Sequence, residues 1–269
     1  MKTRIISGIC MLPLLLIVYF GGWLLVVAAI LITVLGINEF FNGFENIGIH
    51  PSKPIAYALT ALLYVIYAIK GYDSIMLCMW LLVAIAICMI YGWDINARRL
   101  EDSMATLTGV VYIVFFSYHI VLIDSVPADV GHPTYRLFVW IVIIAAFGAD
   151  IMAYFVGTLF GKRKLCPVLS PKKTVEGAIG GLLGAALFCG IFGYFFLNEL
   201  TIHCLIIGLL GGAVSICGDL TASAFKRKMH IKDYGNLIPG HGGIMDRFDS
   251  VIFTAPFVFY YMVFVILGM

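Results

Sequence analysis

Charged residues are scarce: Asp, Glu, Lys and Arg make up 12% of the 269 residues, against 62% hydrophobic, and the mean hydropathy is +1.04. A soluble fold of that make-up would have nothing polar with which to cover its core. Soluble globular classes are therefore excluded, and lipid is the solvent for most of the chain. No repeat period is visible and aromatics reach 14%, which excludes disordered, collagen-like and low-complexity classes. The seven cysteines (Cys10, Cys78, Cys88, Cys166, Cys189, Cys204 and Cys217) form no CxxC pair and have no His at ligand spacing, so they read as small apolar residues rather than disulfides or zinc ligands. No small-x-small cleavage site follows Met1-Lys2-Thr3-Arg4 and its apolar run, so that run reads as a first membrane helix.

What is present is a succession of apolar stretches. A spanning helix needs about 20 apolar residues. Cutting at polar and Gly/Pro breaks gives nine candidates, at about 5–20, 22–44, 54–70, 74–92, 105–123, 135–160, 174–198, 201–226 and 248–268. Between Ile5 and Gly36 there is no charge, and only Gly21-Gly22 suggests a tight hairpin dividing two spans. The net charge of +2 is uninformative as a total, but its distribution is not. With a cytoplasmic amino terminus, fifteen Lys and Arg residues fall inside and only Lys70 and Arg136 outside. The positive-inside rule asks for such a split. The expected fold is thus all-α and polytopic, with about nine transmembrane helices and an external carboxyl terminus.

The chain also sorts into two halves: a transmembrane scaffold over 1–134 and a polar-site region over 135–269, with cytoplasmic loops at 161–173 and 227–247. In the scaffold the acids Glu39, Glu45, Asp73, Asp94, Glu101 and Asp102 lie near predicted helix ends. In the second half glycines recur four apart (Gly157 with Gly161, Gly177 with Gly181, Gly180 with Gly184, Gly208 with Gly212), as close helix packing in a membrane requires.

Ionisable groups within spans are costly and call for an explanation. Asp150 lies about fourteen residues into its span, roughly 21 Å across from the outer face. Asp219 lies about eighteen residues into the eighth span, which also runs inward, and Asp246 and Asp249 open the ninth on one helix face. All four are expected at the cytoplasmic boundary, beside the two loops that hold ten of the seventeen basic residues. Singly, Asp246 or Asp249 also suits a helix N-cap or an ion pair with Arg247, and Asp150 a hydrogen bond to a neighbouring helix. Together in low dielectric they would repel one another unless protons or cations intervene. Carboxylate oxygens suit Mg²⁺, and the surrounding Lys and Arg suit phosphates, so the pattern points to phosphoryl-group chemistry. Asp219, Ser223 and Arg227 fall at i, i+4, i+8 and would share one helix face. The glycines of Pro239-Gly240-His241-Gly242-Gly243 would let backbone N–H groups reach a phosphate at the start of the ninth span. Ser170-Pro171-Lys172-Lys173-Thr174-Val175-Glu176-Gly177 places two lysines ahead of the seventh.

These residues carry a resemblance. Ser223-Ala224-Phe225-Lys226-Arg227, then Lys232-Asp233, Gly235, Ile238-Pro239, His241-Gly242-Gly243-Ile244 and Asp246-Arg247-Phe248-Asp249 resemble throughout the signature of the phosphatidate cytidylyltransferases, also called CDP-diacylglycerol synthases. Asp150 with Ala153-Tyr154, Gly157 and Phe160-Gly161-Lys162, and the Ser170–Gly177 stretch, are similar to the same family. The resemblance is specific over about 147–250; before that it is only that of a hydrophobic, multi-span half.

The resemblance implies an inner-membrane enzyme with its site facing the cytoplasm, a homodimer, that joins CTP and phosphatidic acid using Mg²⁺, with a monovalent second ion such as K⁺ also allowed. It makes Asp219, Asp246 and Asp249 the metal candidates and adds Lys226 and Arg247 to the catalytic set. Ser170, Lys172, Lys173, Thr174, Ser223, Arg227, Lys232, Asp233, Gly242 and Gly243 become substrate-binding candidates, as do Asp150 and His241, the latter a phosphate donor or a proton carrier. The reaction implied is attack by a phosphatidate oxygen on the α-phosphorus of CTP. Rival classes are a cation-coupled transporter, whose inverted repeats are not visible here, and two other lipid enzymes. One is a CDP-alcohol phosphotransferase, whose DGxxAR opening is approached only in Asp94-Ile95-Asn96-Ala97-Arg98; the other is a polyprenol-type lipid kinase.

Overall fold

The computed structural model describes residues 13–129, 131–237 and 242–268. Among them, eight helical segments are long and apolar enough to cross a membrane: Gly22–Glu45, Lys53–Lys70, Ser74–Trp93, Leu100–Val126, Pro133–Phe160, Val175–Phe196, Asn198–Lys228 and Met245–Ile266. They match the second to ninth expected spans in order. Of the first expected span, at 5–20, residues 13–20 are described and helical, and the rest lies outside the described residues. Large apolar side chains point outward all along these helices, among them Leu82, Leu183, Phe195 and Phe264. Only lipid tolerates that surface, so the chain is an integral membrane protein.

By contacts the chain divides into two units: the described residues up to Ser125 together with Lys228–Arg247, and Val126–Arg227 together with the residues from Phe248 onward. The first unit is built on α1 (Gly22–Glu45), α2 (Lys53–Lys70), α3 (Ser74–Ile90), α4 (Leu100–Gly109) and α5 (Phe116–Asp129), the last two joined by a π-helical turn, Val110–Phe115. Its helix starts are fixed by local polar residues. Gly21 and Gly22 both take positive φ, and α1 starts at Gly22. Ser52 accepts the Ile55 N–H at the start of α2, with Pro54 in the first turn, and Asp73 accepts the Ile75 and Met76 N–H groups at the start of α3. Asp102 is buried and accepts backbone N–H groups from Arg99 and His50 at 2.9 and 2.6 Å, so this acid is a structural cap. The core holds Phe40, Phe41, Trp80, Ile113 and Leu122; the Trp80 indole N–H donates to the Leu59 carbonyl at 3.0 Å.

The second unit contains α6 (Phe138–Phe160), α7 (Val175–Phe196), α8 (Thr201–Lys228) and most of α9 (Met245–Tyr261), which begins in the first unit. Between α6 and α7 the expected basic loop is instead a small antiparallel hairpin of β1 (Lys164–Cys166) and β2 (Ser170–Thr174), with Lys164 opposite Thr174 and Cys166 opposite Ser170. The glycine pairs serve close packing, as their spacing suggests. A Cβ at Gly181 on α7 would lie 2.8 Å from the Ala149 carbonyl oxygen and 3.1 Å from the Ala153 Cβ, both on α6. The six described cysteines are free, and three of them are buried.

Because the Ala149 carbonyl is backbone and cannot yield, Gly181→Ala should cost about 1–3 kcal/mol by overpacking. Thermal unfolding in detergent checks this: the midpoint should fall by several degrees, and an unchanged midpoint would mean that α6 and α7 do not approach so closely.

Candidate active site

The polar residues of the second unit collect around a cavity of about 500 Å³ whose lining includes Asp150, Tyr154, Thr158, Lys164, Lys172, Lys173 and Asp219. A cavity of this size suits a small-molecule ligand. Three devices set its walls. The Glu176 carboxylate, in the first turn of α7, accepts the Lys162 N–H at 3.0 Å and the Arg163 N–H at 3.1 Å, folding the end of α6 back over that turn. Thr174, buried, caps the same helix through its hydroxyl to the Gly177 N–H at 3.1 Å. The hairpin between them leaves Lys172 exposed and Lys173 partly covered.

Lys173 makes an ion pair with Asp219 of α8, whose Oδ1 lies 3.5 Å from the Ser223 hydroxyl one turn further on. The i, i+4 spacing of Asp219 and Ser223 is thus realised within one continuous helix, and Arg227 follows on it, exposed. Asp249 of α9 is 7% exposed and accepts the Ser250 N–H at 2.7 Å. It lies within electrostatic range of Asp219, Lys226 and Asp150. The close approach has a visible cause. Next to Asp219, a Cβ on Gly218 would sit 2.6 Å from the Phe253 Cβ and 3.1 Å from the Asp249 carbonyl oxygen, so only glycine lets α8 and α9 meet there. The second unit therefore brings Asp150, Asp219, Asp249, Ser223, Lys172, Lys173 and Lys226 into one polar region, and Ser170 opens the strand that carries the two lysines.

The remaining expected site residues lie in the first unit. Asp246 Oδ2 accepts the Tyr234 N–H at 2.8 Å and the Gly243 N–H at 3.0 Å. Gly242 has φ of +83°. Lys232 and Asp233 are exposed. Arg247 carries a buried Nε with no hydrogen-bond acceptor among the described residues. His241 lies outside the described residues. Of the stretch expected to cradle a phosphate, the Gly243 amide donates to Asp246, and just beyond it Ile244 and Met245 donate to Glu39. Glu39 was read from sequence as a scaffold acid near a helix end. The signal that could have singled it out is its place among apolar residues late in α1.

Among the described residues no group of three or more His, Cys, Asp or Glu side chains is gathered as a metal-binding set. The chemistry of the donors nevertheless fits a hard cation. Asp219 and Asp249 offer only carboxylate oxygens, they lie near one another, and Asp219 already attracts a positive charge, the Lys173 ammonium.

The sequence model of the cytidylyltransferase family matches residues 2–265. Among similar curated proteins, the phosphatidate cytidylyltransferase of Synechocystis is 34% identical over 97% of this chain and 96% of its own length. That of Pseudomonas aeruginosa is 33% identical over 95% of this chain and 94% of its own. That of Bacillus subtilis is 39% identical over 60% of this chain.

If Lys173 and Asp219 hold one another, their effects on stability are coupled. Unfolding of Lys173→Met, Asp219→Asn and the double variant should give a coupling energy of about 1 kcal/mol or more, whereas additive effects would mean that the pair is not formed.

Proposed function

The chain belongs to the cytidylyltransferase family, and from that premise we propose that it transfers CMP from CTP to phosphatidic acid, giving CDP-diacylglycerol and pyrophosphate. The observation that carries this reading is the juxtaposition in the second unit of the Asp219 and Asp249 carboxylates with the lysine-bearing hairpin. Acids alone would suit an ion pathway and bases alone a lipid headgroup. Both together suit a reaction between two polyanions, where the main barrier is bringing like charges into contact.

An oxygen of the phosphatidate phosphate attacks the α-phosphorus of CTP. As that P–O bond forms, the bond from the α-phosphorus to the oxygen bridging to the β-phosphate breaks, and the electron pair leaves with pyrophosphate. The phosphatidate oxygen is already anionic near neutral pH, so no side chain is needed as a strong base. Lys172 and Lys173 neutralise phosphate oxygens from the hairpin side, and Lys226 and Arg227 from the end of α8. Arg247, whose buried Nε has no hydrogen-bond acceptor among the described residues, and Lys232 are basic residues of the family signature and suit a phosphate. Ser223 holds a phosphate oxygen or a water by its hydroxyl. Ser170, Thr174, Asp233, His241, Gly242 and Gly243 belong to the substrate-binding set through the family signature, Thr174 by shaping the hairpin's junction with α7.

Asp219 and Asp249 would hold Mg²⁺, with Asp246 a further candidate one turn before Asp249 on α9, and Asp150 in the same polar region as the first two. When bound, the ion supplies positive charge against the phosphate oxygens in the transition state. Location in the inner membrane with the site facing the cytoplasm, assembly as a homodimer and a second, monovalent ion such as K⁺ complete the proposal. Its support is the charge asymmetry of the loops for the first and the family resemblance for the others.

The test is purified protein in detergent with α-labelled CTP, phosphatidate and Mg²⁺. Labelled CDP-lipid should form, and its formation should stop on chelation. Asp249→Asn should lower kcat by about a hundredfold or more while the protein still inserts and folds. Phosphorylation of the lipid from ATP, or no CDP-lipid at all, would refute the assignment, and wild-type turnover in Asp249→Asn would remove that residue from the machinery.

A further inference from the structure

Glu39 is an acid on a helix that is otherwise almost wholly apolar, and only 8% of it is exposed. A carboxylate in that setting is retained only where strong donors answer it. Here two do: Oε1 accepts the Ile244 N–H at 3.0 Å and Oε2 the Met245 N–H at 2.9 Å. Those amides lead into the first turn of α9, where backbone N–H groups have no partner inside the helix and the helix dipole favours an anion. The side chain thus occupies the position that a bound phosphate takes in helix-terminus anion sites.

The surroundings are shaped to admit it. A Cβ at Gly235 would lie 2.6 Å from Glu39 Oε1, and one at Gly243 would collide with the same carboxylate. Both glycines lie in the stretch that resembles the family signature, and a side chain at either would displace the Glu39 carboxylate. Tyr234 packs its ring 5.8 Å from Phe40, the residue after Glu39, while its backbone N–H goes to Asp246. Two carboxylates from different helices therefore organise one loop: Asp246 ties Tyr234 to Gly243, and Glu39 ties the next two amides to α1.

We infer that Glu39 is a positioning residue for the transfer reaction, fixing the first turn of α9 and with it the setting of Asp246. The kinetic part of this inference rests on the function proposed above. The chemistry requires glutamate in particular. Glutamine keeps the length but presents one acceptor and one NH₂, which would face an N–H of the loop. Aspartate keeps both acceptors but falls one methylene short.

Two measurements test it. In hydrogen exchange followed by mass spectrometry on the wild-type protein in detergent, the amides of Ile244 and Met245 should exchange slowly, in contrast to the exposed Lys232–Asp233 stretch. Glu39→Gln should speed exchange there by about tenfold to a hundredfold, as loss of a charge-assisted hydrogen bond implies, with other peptides unchanged. In steady-state assays Glu39→Gln should lower kcat by about tenfold to a hundredfold with KM for CTP within about threefold, because a misplaced catalytic helix loses alignment rather than affinity. Glu39→Asp should fall between the two. Rapid exchange at Ile244 and Met245 in the wild type, or wild-type kcat in Glu39→Gln, would overturn the inference. If Glu39→Gln does not fold, the wild-type exchange result decides it alone. If the wild type makes no CDP-lipid, the function fails while exchange still decides whether the clamp exists.

Discussion

A carboxylate carried into a membrane must be met by positive charge or by N–H groups, and much of this structure is organised around meeting that demand. Each embedded acid has its own answer. Asp102 takes two backbone N–H groups and starts a helix, Glu39 takes two and anchors another, Asp246 takes two and closes a loop, and Asp219 takes the Lys173 ammonium. Asp249 differs: it is buried beside Asp219, with Lys226 as a nearby positive charge and the Ser250 N–H donating to it. Asp102 and Glu39, answered by backbone N–H groups, have structural work to do. Asp219 and Asp249 form a separate group, near one another and beside the lysine-bearing hairpin.

That separation links fold to function. Gly218 brings α8 against α9 so that two aspartates lie near one another, and the hairpin before α7 carries Lys172 and Lys173 to the same cavity. Lipid and nucleotide phosphates repel one another strongly, and fixed cations beside them lower that repulsion before the reaction begins. The rest of the chain supplies apolar helices that hold these groups at the membrane.

Much of this was legible in the sequence because membrane helices have few ways to be built. Eight of nine spans follow from apolar length alone, the glycine pairs from their four-residue spacing, and the Asp219–Ser223 relation from helical period. What was not legible depended on long-range pairing. The hairpin at Lys164–Thr174 has only three and five residues per strand and reads as a basic loop, since no alternation marks it. Glu39 was taken for a scaffold acid because its partners are backbone amides some 205 residues away, which carry no residue-type signature. For the same reason the sequence does not reveal that Asp246 and Glu39 lie against Gly242 and Gly243.

The most direct test of this account is manganese binding to the purified protein, followed by the loss of the free-ion signal in electron paramagnetic resonance. The wild type should bind the ion, and Asp219→Asn and Asp249→Asn should each weaken that binding by about tenfold or more, as loss of one ligand of a carboxylate site implies. Equal binding by all three proteins would contradict the account, because the charge at Asp219 and Asp249 would then not be what draws a cation to the site.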